Sequence, residues 1–300
     1  MWNGEYWGAS KVGREKMNYP IVQIKTPDNL WLHALHLHTP NSKVVFLNIH
    51  GTASNFYEEY FIEVLGGKFA HYGISMLSTN NRGTGVYDAW QGNGAAVEKF
   101  SDCLIDIDSW VEFALNQGYE KIILSGHSLG TEKVTYYMLH GKYTDKISVL
   151  VLLAPATSPG SEQILGKDYE KKLAHARTLV SEGKGKIFLG RDVYGGIMPK
   201  SAESYVDFSD DNPEFDDALP FHKKRLSGFA KIKIPILAVI GDQHEYTAIP
   251  IIEALDLMKK ENPNTEAIQI MNCDHDFQDK ESELSEALID FFCKYSLCSR

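Results

Sequence analysis

Short apolar runs rich in Val, Ile and Leu recur along the chain, at residues 21–24, 30–37, 44–49, 74–79, 121–124, 147–154, 234–240 and 267–271. Several are apolar throughout rather than alternating, which is the pattern of strands covered on both faces of a parallel sheet. The first two runs flank Thr26-Pro27-Asp28-Asn29, a turn-forming tetrapeptide, and are expected to pair antiparallel. Between the later runs, apolar residues fall three and four apart. Phe100, Cys103, Leu104, Ile107, Trp110, Val111 and Ala114 form one such stripe, Val134, Tyr137 and Met138 a second, and Leu284, Leu288, Phe291 and Phe292 a third. Strands alternating with helices imply right-handed βαβ crossovers and a sheet with helices on both faces, an α/β architecture.

This rhythm breaks across residues 158–230. A charged stretch of helical character (162–182) and an acidic, proline-containing stretch (209–220) lie there, and no strong strand returns until residue 234. So long a segment is not expected to be a bare loop in a compact domain, so it is read as an insertion with its own helices. The remainder, 1–157 and 231–300, forms the core of one structural domain.

Composition narrows the class. With 43% hydrophobic and 23% charged residues, the chain has the balance of an ordinary globular protein. A formal net charge of -10 disfavours nucleic acid and anionic membrane surfaces as partners. No apolar run approaches the roughly 20 residues that span a bilayer. The N-terminal residues 1–6 show no basic patch followed by an apolar stretch, so a cytoplasmic location is expected. Cys103, Cys273, Cys293 and Cys298 show no CxxC spacing and are read as reduced thiols.

Three motifs carry the chemistry. Gly126-His127-Ser128-Leu129-Gly130 follows a strand and precedes a helical pattern. That context suits a nucleophile elbow, in which the serine sits on a sharp turn at a helix N-terminus. Asn48-Ile49-His50-Gly51-Thr52-Ala53 ends the third run. Acyl transfer needs two preorganised donors for the oxyanion. The N–H groups of Leu129 and Thr52 are the candidates, with Ala53 second to Thr52. Asn272-Cys273-Asp274-His275-Asp276-Phe277 follows the last run. His275 lies late in the chain, as the order nucleophile, acid, base requires, and imidazole titrates near neutrality, as a general base must.

The series His50-Gly51, Arg82-Gly83-Thr84-Gly85, Gly126-His127-Ser128-Leu129-Gly130 and Asp274-His275 resembles the α/β-hydrolase superfamily, and the likeness spans about Val22 to Phe292. It is similar in particular to the serine-esterase and acyl-aminopeptidase branch, including feruloyl-esterase-like and siderophore-esterase-like members. The resemblance implies a mainly parallel eight-stranded sheet flanked by helices, with a helical cap inserted after the sixth strand, where 158–230 falls. It implies neither metal nor organic cofactor. Two positions depart from the family. Asn80 stands where Asp is common before the Arg-Gly pair. The loop after the seventh strand reads Gly241-Asp242-Gln243-His244-Glu245, with His244 where the family acid usually lies. The acid is therefore Asp242 or Glu245, with Asp242 favoured because it directly follows Gly241, where the chain turns freely. Asp274 adjoins His275 and is expected to point away from its Nδ1.

The expected activity is hydrolysis of a small carboxylic ester through an acyl-enzyme, with Ser128 as nucleophile and His275 as base. A thioesterase, an acyltransferase or cyclase in which another nucleophile replaces water, and a binding protein that lost the chemistry are the rivals. The displaced acid favours the last, and the intact Ser128 and His275 disfavour it. His36 and His38 share one strand face without an adjacent carboxylate or cysteine, so they read as polar residues on an exposed face rather than a zinc site. Gly83-Thr84-Gly85 lacks the rest of a phosphate loop, and the acidic run 207–217 lacks the order of a calcium loop.

Overall fold

The apolar runs fold as eight strands in one sheet. The computed structural model describes residues 20–190, 198–209 and 212–299; residues 1–6 and part of the acidic run 207–217 lie outside them. The strands are β1 (Ile21–Lys25), β2 (Trp31–Leu37), β3 (Val44–Ile49), β4 (Ile74–Thr79), β5 (Lys121–His127), β6 (Ile147–Leu153), β7 (Ile236–Ile240) and β8 (Thr265–Gln269). Their order is β1-β2-β4-β3-β5-β6-β7-β8. β1 and β2 pair antiparallel across the 26–29 turn, β2 meets β4 antiparallel, and every later pairing is parallel.

Side chains alternate across this sheet and fill two cores. On one face Val45, Leu47, Ile122 and Leu124 pack against α2 (Cys103–Asn116), α3 (Leu129–His140) and α7 (Ile251–Glu261), with Trp110, Tyr137 and Met258 fully buried. On the other, Phe46, Ile123, Val149 and Val151 pack against α1 (Phe61–His71) and α8 (Glu281–Lys294), through Phe61, Phe69, Leu288 and Phe292. The central strands carry apolar residues at consecutive positions because both faces are covered in this way.

Residues 158–230 connect β6 to β7 and carry α4 (Ser158–Leu165), α5 (Tyr169–Ser181) and α6 (Ala202–Asp207). The last two bury a small cluster of their own, including Tyr169, Leu173 and Tyr205. Phe208, Phe215, Phe221 and Phe229 instead join the main core, where Phe215 stacks on Phe100 at 4.1 Å.

Some boundaries and one chemical reading differ from expectation. β7 starts at Ile236, just after Pro235, which cannot donate to the ladder. β8 ends at Gln269, and Asn272 at φ +52° then turns the chain out of the sheet. The cysteines are not all reduced: Cys293 and Cys298 form a disulfide, while Cys103 and Cys273 are free and buried. The chain reverses after α8, with Ser296 at φ +55°, and brings the two Cα atoms to 4.9 Å. His36 Nε2 and His38 Nδ1 converge on the Tyr119 hydroxyl at 2.7 and 3.1 Å.

Candidate active site

β5 runs directly into the motif, and Ser128 takes φ +53° and ψ -124° at the junction with α3. A non-glycine residue rarely adopts such a backbone, and it persists only where its surroundings hold it. Here the Ser128 N–H donates to the Leu153 carbonyl at 3.0 Å. Its own carbonyl accepts from Thr131 N–H at 2.8 Å and from Thr131 Oγ1 at 2.6 Å. Close approach of α3 to β3 requires Gly130, since a β-carbon there would stand 2.2 Å from the Ile49 carbonyl oxygen. Gly51 is equally constrained: its β-carbon would lie 2.8 Å from Ser128 Cβ. The loop after β3 can therefore lie close against Ser128.

Ser128, Thr52, Leu129 and His275 line one cavity of about 390 Å³. Leu129 opens α3, so its N–H precedes the intrahelical ladder, as an oxyanion donor's must. His275 sits in the loop between β8 and α8. Its Nε2 is buried and has no hydrogen-bond partner among the described residues. The ring is held edge-on by Tyr246 at 4.8 Å.

The structure brings Glu245, not Asp242, to the imidazole. Glu245 Oε2 accepts from His275 Nδ1 at 2.6 Å, and its side chain is fully buried. Its other oxygen accepts the Gly241 N–H at 3.0 Å. Asp242 is engaged elsewhere: its Oδ1 accepts the Cys273 N–H at 3.0 Å. The backbone N–H groups of Cys273 and Asn272 hold its carboxyl below the usual carboxylate range. The freedom at Gly241 does not decide the matter, because the chain turns later. Exposed His244 takes φ +56°, and that left-handed residue re-aims Glu245 inward. The extra residue relative to the family spacing is thus absorbed in the turn. Asp274 caps its own loop, accepting the N–H groups of Asp276 and Gln278.

Residues with no assigned place in the sequence reading complete the surroundings. His50 is buried. Its Nδ1 donates to the Gly51 carbonyl at 2.7 Å and its Nε2 accepts the Asn81 N–H at 3.2 Å. Burial holds its pKa down, to about 4, so the ring is neutral. Asn80, where the family favours Asp, accepts the Phe56 N–H at 3.0 Å and fixes the loop after β3. Beneath Ser128, the Glu132 carboxyl accepts from the Ser158 N–H and hydroxyl and ties α3 to α4; burial pushes it up to about 8. Among the described residues of the 158–230 segment, those that reach the cavity are on α4: Ser158, Ser161, Glu162 and Leu165.

A strained serine at a β5–α3 elbow, on a sheet of this order, defines an α/β hydrolase. Residues 39–220 match the family described as serine aminopeptidase, S33, and the chain belongs to it. Solved structures of similar fold include Est1E from Butyrivibrio proteoclasticus, at 18% identity over 92% of this chain and 98% of that one, with a TM-score of 0.62. The Pyrococcus furiosus esterase Pf2001 is 18% identical over 92% of this chain and 91% of that one, with a TM-score of 0.61. A Paleococcus ferrophilus monoacylglycerol lipase is 18% identical over 88% and 99%, with a TM-score of 0.62. At such identity the likeness is one of fold. No curated protein sequence matches the chain. Among the described residues, no helix is long and apolar enough to cross a membrane.

Proposed function

We propose that the protein is a serine hydrolase that cleaves small carboxylic esters through an acyl-enzyme. The observation that carries this reading is the Glu245 carboxylate on His275 Nδ1, with His275 and Ser128 lining the same cavity and Nε2 left without another partner among the described residues. His275 Nε2 takes the Ser128 hydroxyl proton as Oγ attacks the carbonyl carbon, and the oxyanion rests on the Thr52 and Leu129 N–H groups. The imidazolium, stabilised by Glu245, protonates the departing alkoxide. Water then repeats the sequence in reverse and frees the acid. The esterase and lipase activities named for the structural neighbours agree with this choice of substrate class.

Charge restricts the ester further. The exposed carboxylates Glu58 and Asp276 line the cavity, and among the described residues neither Lys nor Arg does. An ester bearing a free carboxylate is disfavoured there. Labelling with a fluorophosphonate probe tests the reading. Wild type should be labelled at Ser128 and hydrolyse p-nitrophenyl acetate well ahead of a p-nitrophenyl hemisuccinate. Ser128→Ala should fold, resist the probe and lose several powers of ten in turnover. Wild-type turnover in Ser128→Ala would sink the mechanism.

A further inference from the structure

His127, inside the elbow motif, is not needed for the proton transfers above. It is nevertheless built into the site with care. It is 3% exposed and wedged between the rings of Phe61 and Phe277, at 5.4 and 6.3 Å. Its Nδ1 lies 3.2 Å from Glu59 Oε1 and its Nε2 lies 2.9 Å from the backbone carbonyl of His275. Glu59 is buried as well, and its second oxygen accepts from Asn48 Nδ2 at 3.0 Å. A carbonyl and an ionised carboxylate only accept, so with Glu59 ionised both ring nitrogens carry hydrogen. His127 is then an imidazolium, charge-paired inside the protein.

The loop it reaches needs such an anchor. Asn272, Phe277 and Asp279 all have positive φ, at +52°, +58° and +61°. Non-glycine residues hold that conformation only where contacts over-determine it. The His127 hydrogen bond grips the loop at His275 itself. A buried ion pair is a weak device for stability, since desolvating both charges offsets their attraction. Holding a geometry is its better-supported use.

We propose that His127 and Glu59 form a positioning pair: a buried imidazolium–carboxylate unit that fixes the His275 backbone and so sets the reach of its ring toward Ser128. This rests on the Ser128–His275 reading. Neutral His127 has one N–H and must release either Glu59 or the His275 carbonyl, so the clamp works only when charged.

The charges around it favour that state. Burial alone would lower the His127 pKa, but Glu59 outweighs it, with help from the His275 carbonyl and Asp276, and the value is raised to about 9. For Glu59, burial would raise the pKa, but the charge and hydrogen bond of His127, with the Asn48 amide, bring it below its usual value. The His275 ring, 5.1 Å away, is a further titratable group against His127. The imidazolium is therefore present at neutral pH and lost as pH rises through about 9.

The test combines spectroscopy with the fluorophosphonate reaction. In protein labelled with ¹⁵N-histidine, both His127 nitrogens should resonate as protonated from pH 6 to 8, and the wild-type labelling rate should fall on the alkaline side together with His127 deprotonation. Glu59→Gln should slow labelling by about 100-fold, the cost of misplacing a reacting group by roughly an ångström. KM for a short ester should move less than twofold, and Glu59→Asp should recover part of the rate. A neutral His127 at pH 7, or Glu59→Gln labelled at the wild-type rate, overturns the proposal. If the variants do not fold, the wild-type ¹⁵N signature and alkaline limb still decide it. A wild type that never reacts with the probe would instead refute the serine-hydrolase reading, while the ¹⁵N signature would still report on the pair.

Discussion

Replacing Glu245 by Gln separates the two candidate acids with a single atom. The carboxylate is fully buried, with Oε1 on the Gly241 N–H and Oε2 on His275 Nδ1. In the glutamine, the amide oxygen can keep the Gly241 bond, which leaves the amide NH₂ facing Nδ1. Two donors cannot share that contact, so the imidazole must move its hydrogen to Nε2. That is the nitrogen that has to accept the serine proton. Loss of the correct tautomer costs about four powers of ten in kcat in serine proteases, equivalent to about 5.5 kcal/mol of transition-state stabilisation. Asp242→Asn serves as the control. The asparagine carbonyl can still accept the Cys273 N–H, so kcat should stay within about threefold of wild type. Both rates are read from steady-state hydrolysis of p-nitrophenyl acetate, with folding checked by circular dichroism. A collapse of kcat in Asp242→Asn, with Glu245→Gln near normal, would refute the reasoning from geometry.

Other perturbations probe the scaffold. Gly130→Ala should destabilise by at least about 3 kcal/mol in urea unfolding, since its β-carbon would meet a strand carbonyl at 2.2 Å rather than a yielding side chain. Lys133 and Glu98 pair at 2.7 Å with each side chain 1% exposed. Lys133→Met should therefore cost about 3–5 kcal/mol by stranding the carboxylate, and Lys133→Met with Glu98→Leu should regain most of it; equal losses in the single and double variants would contradict this. Acid should weaken the fold through His50, whose pKa falls from 6.5 unfolded to about 4 folded. The unfolded chain takes up that proton first, so stability drops as pH falls from 6.5 to 4, by about 3 kcal/mol. A His50→Gln variant should lack that part of the pH slope.

Much of this architecture was legible because burial leaves a linear trace. β3, β5 and β6 are covered on both sides, so they carry apolar residues on both faces, as in Val44–Leu47, Ile122–Leu124 and Val149–Leu153. The elbow was legible for a steric reason, since the approach of α3 to β3 admits no side chain at Gly130. Helices α1 and α7 escaped the stripe reading. The first has Gly66-Gly67 at its centre, and the second buries only Ala254, Leu255 and Met258. The acid was harder still. Its identity depends on one left-handed residue, His244, and nothing in its side chain announces that backbone. The His127–Glu59 contact joins residues 68 positions apart, a distance over which spacing carries no signal.

The depth of α3 sets how this enzyme would fail. From Leu129 to Tyr137 every residue of the helix is buried, so its amides can exchange with solvent only when the whole molecule opens. The loops carrying Glu245 and His275 lie at the surface, with exposed residues such as Gln243, His244 and Asp276. They can open locally at lower free energy. Two lifetimes therefore coexist in one site: warming should first silence the protein reversibly, by releasing His275 from a Ser128 that stays in place, and only later destroy it.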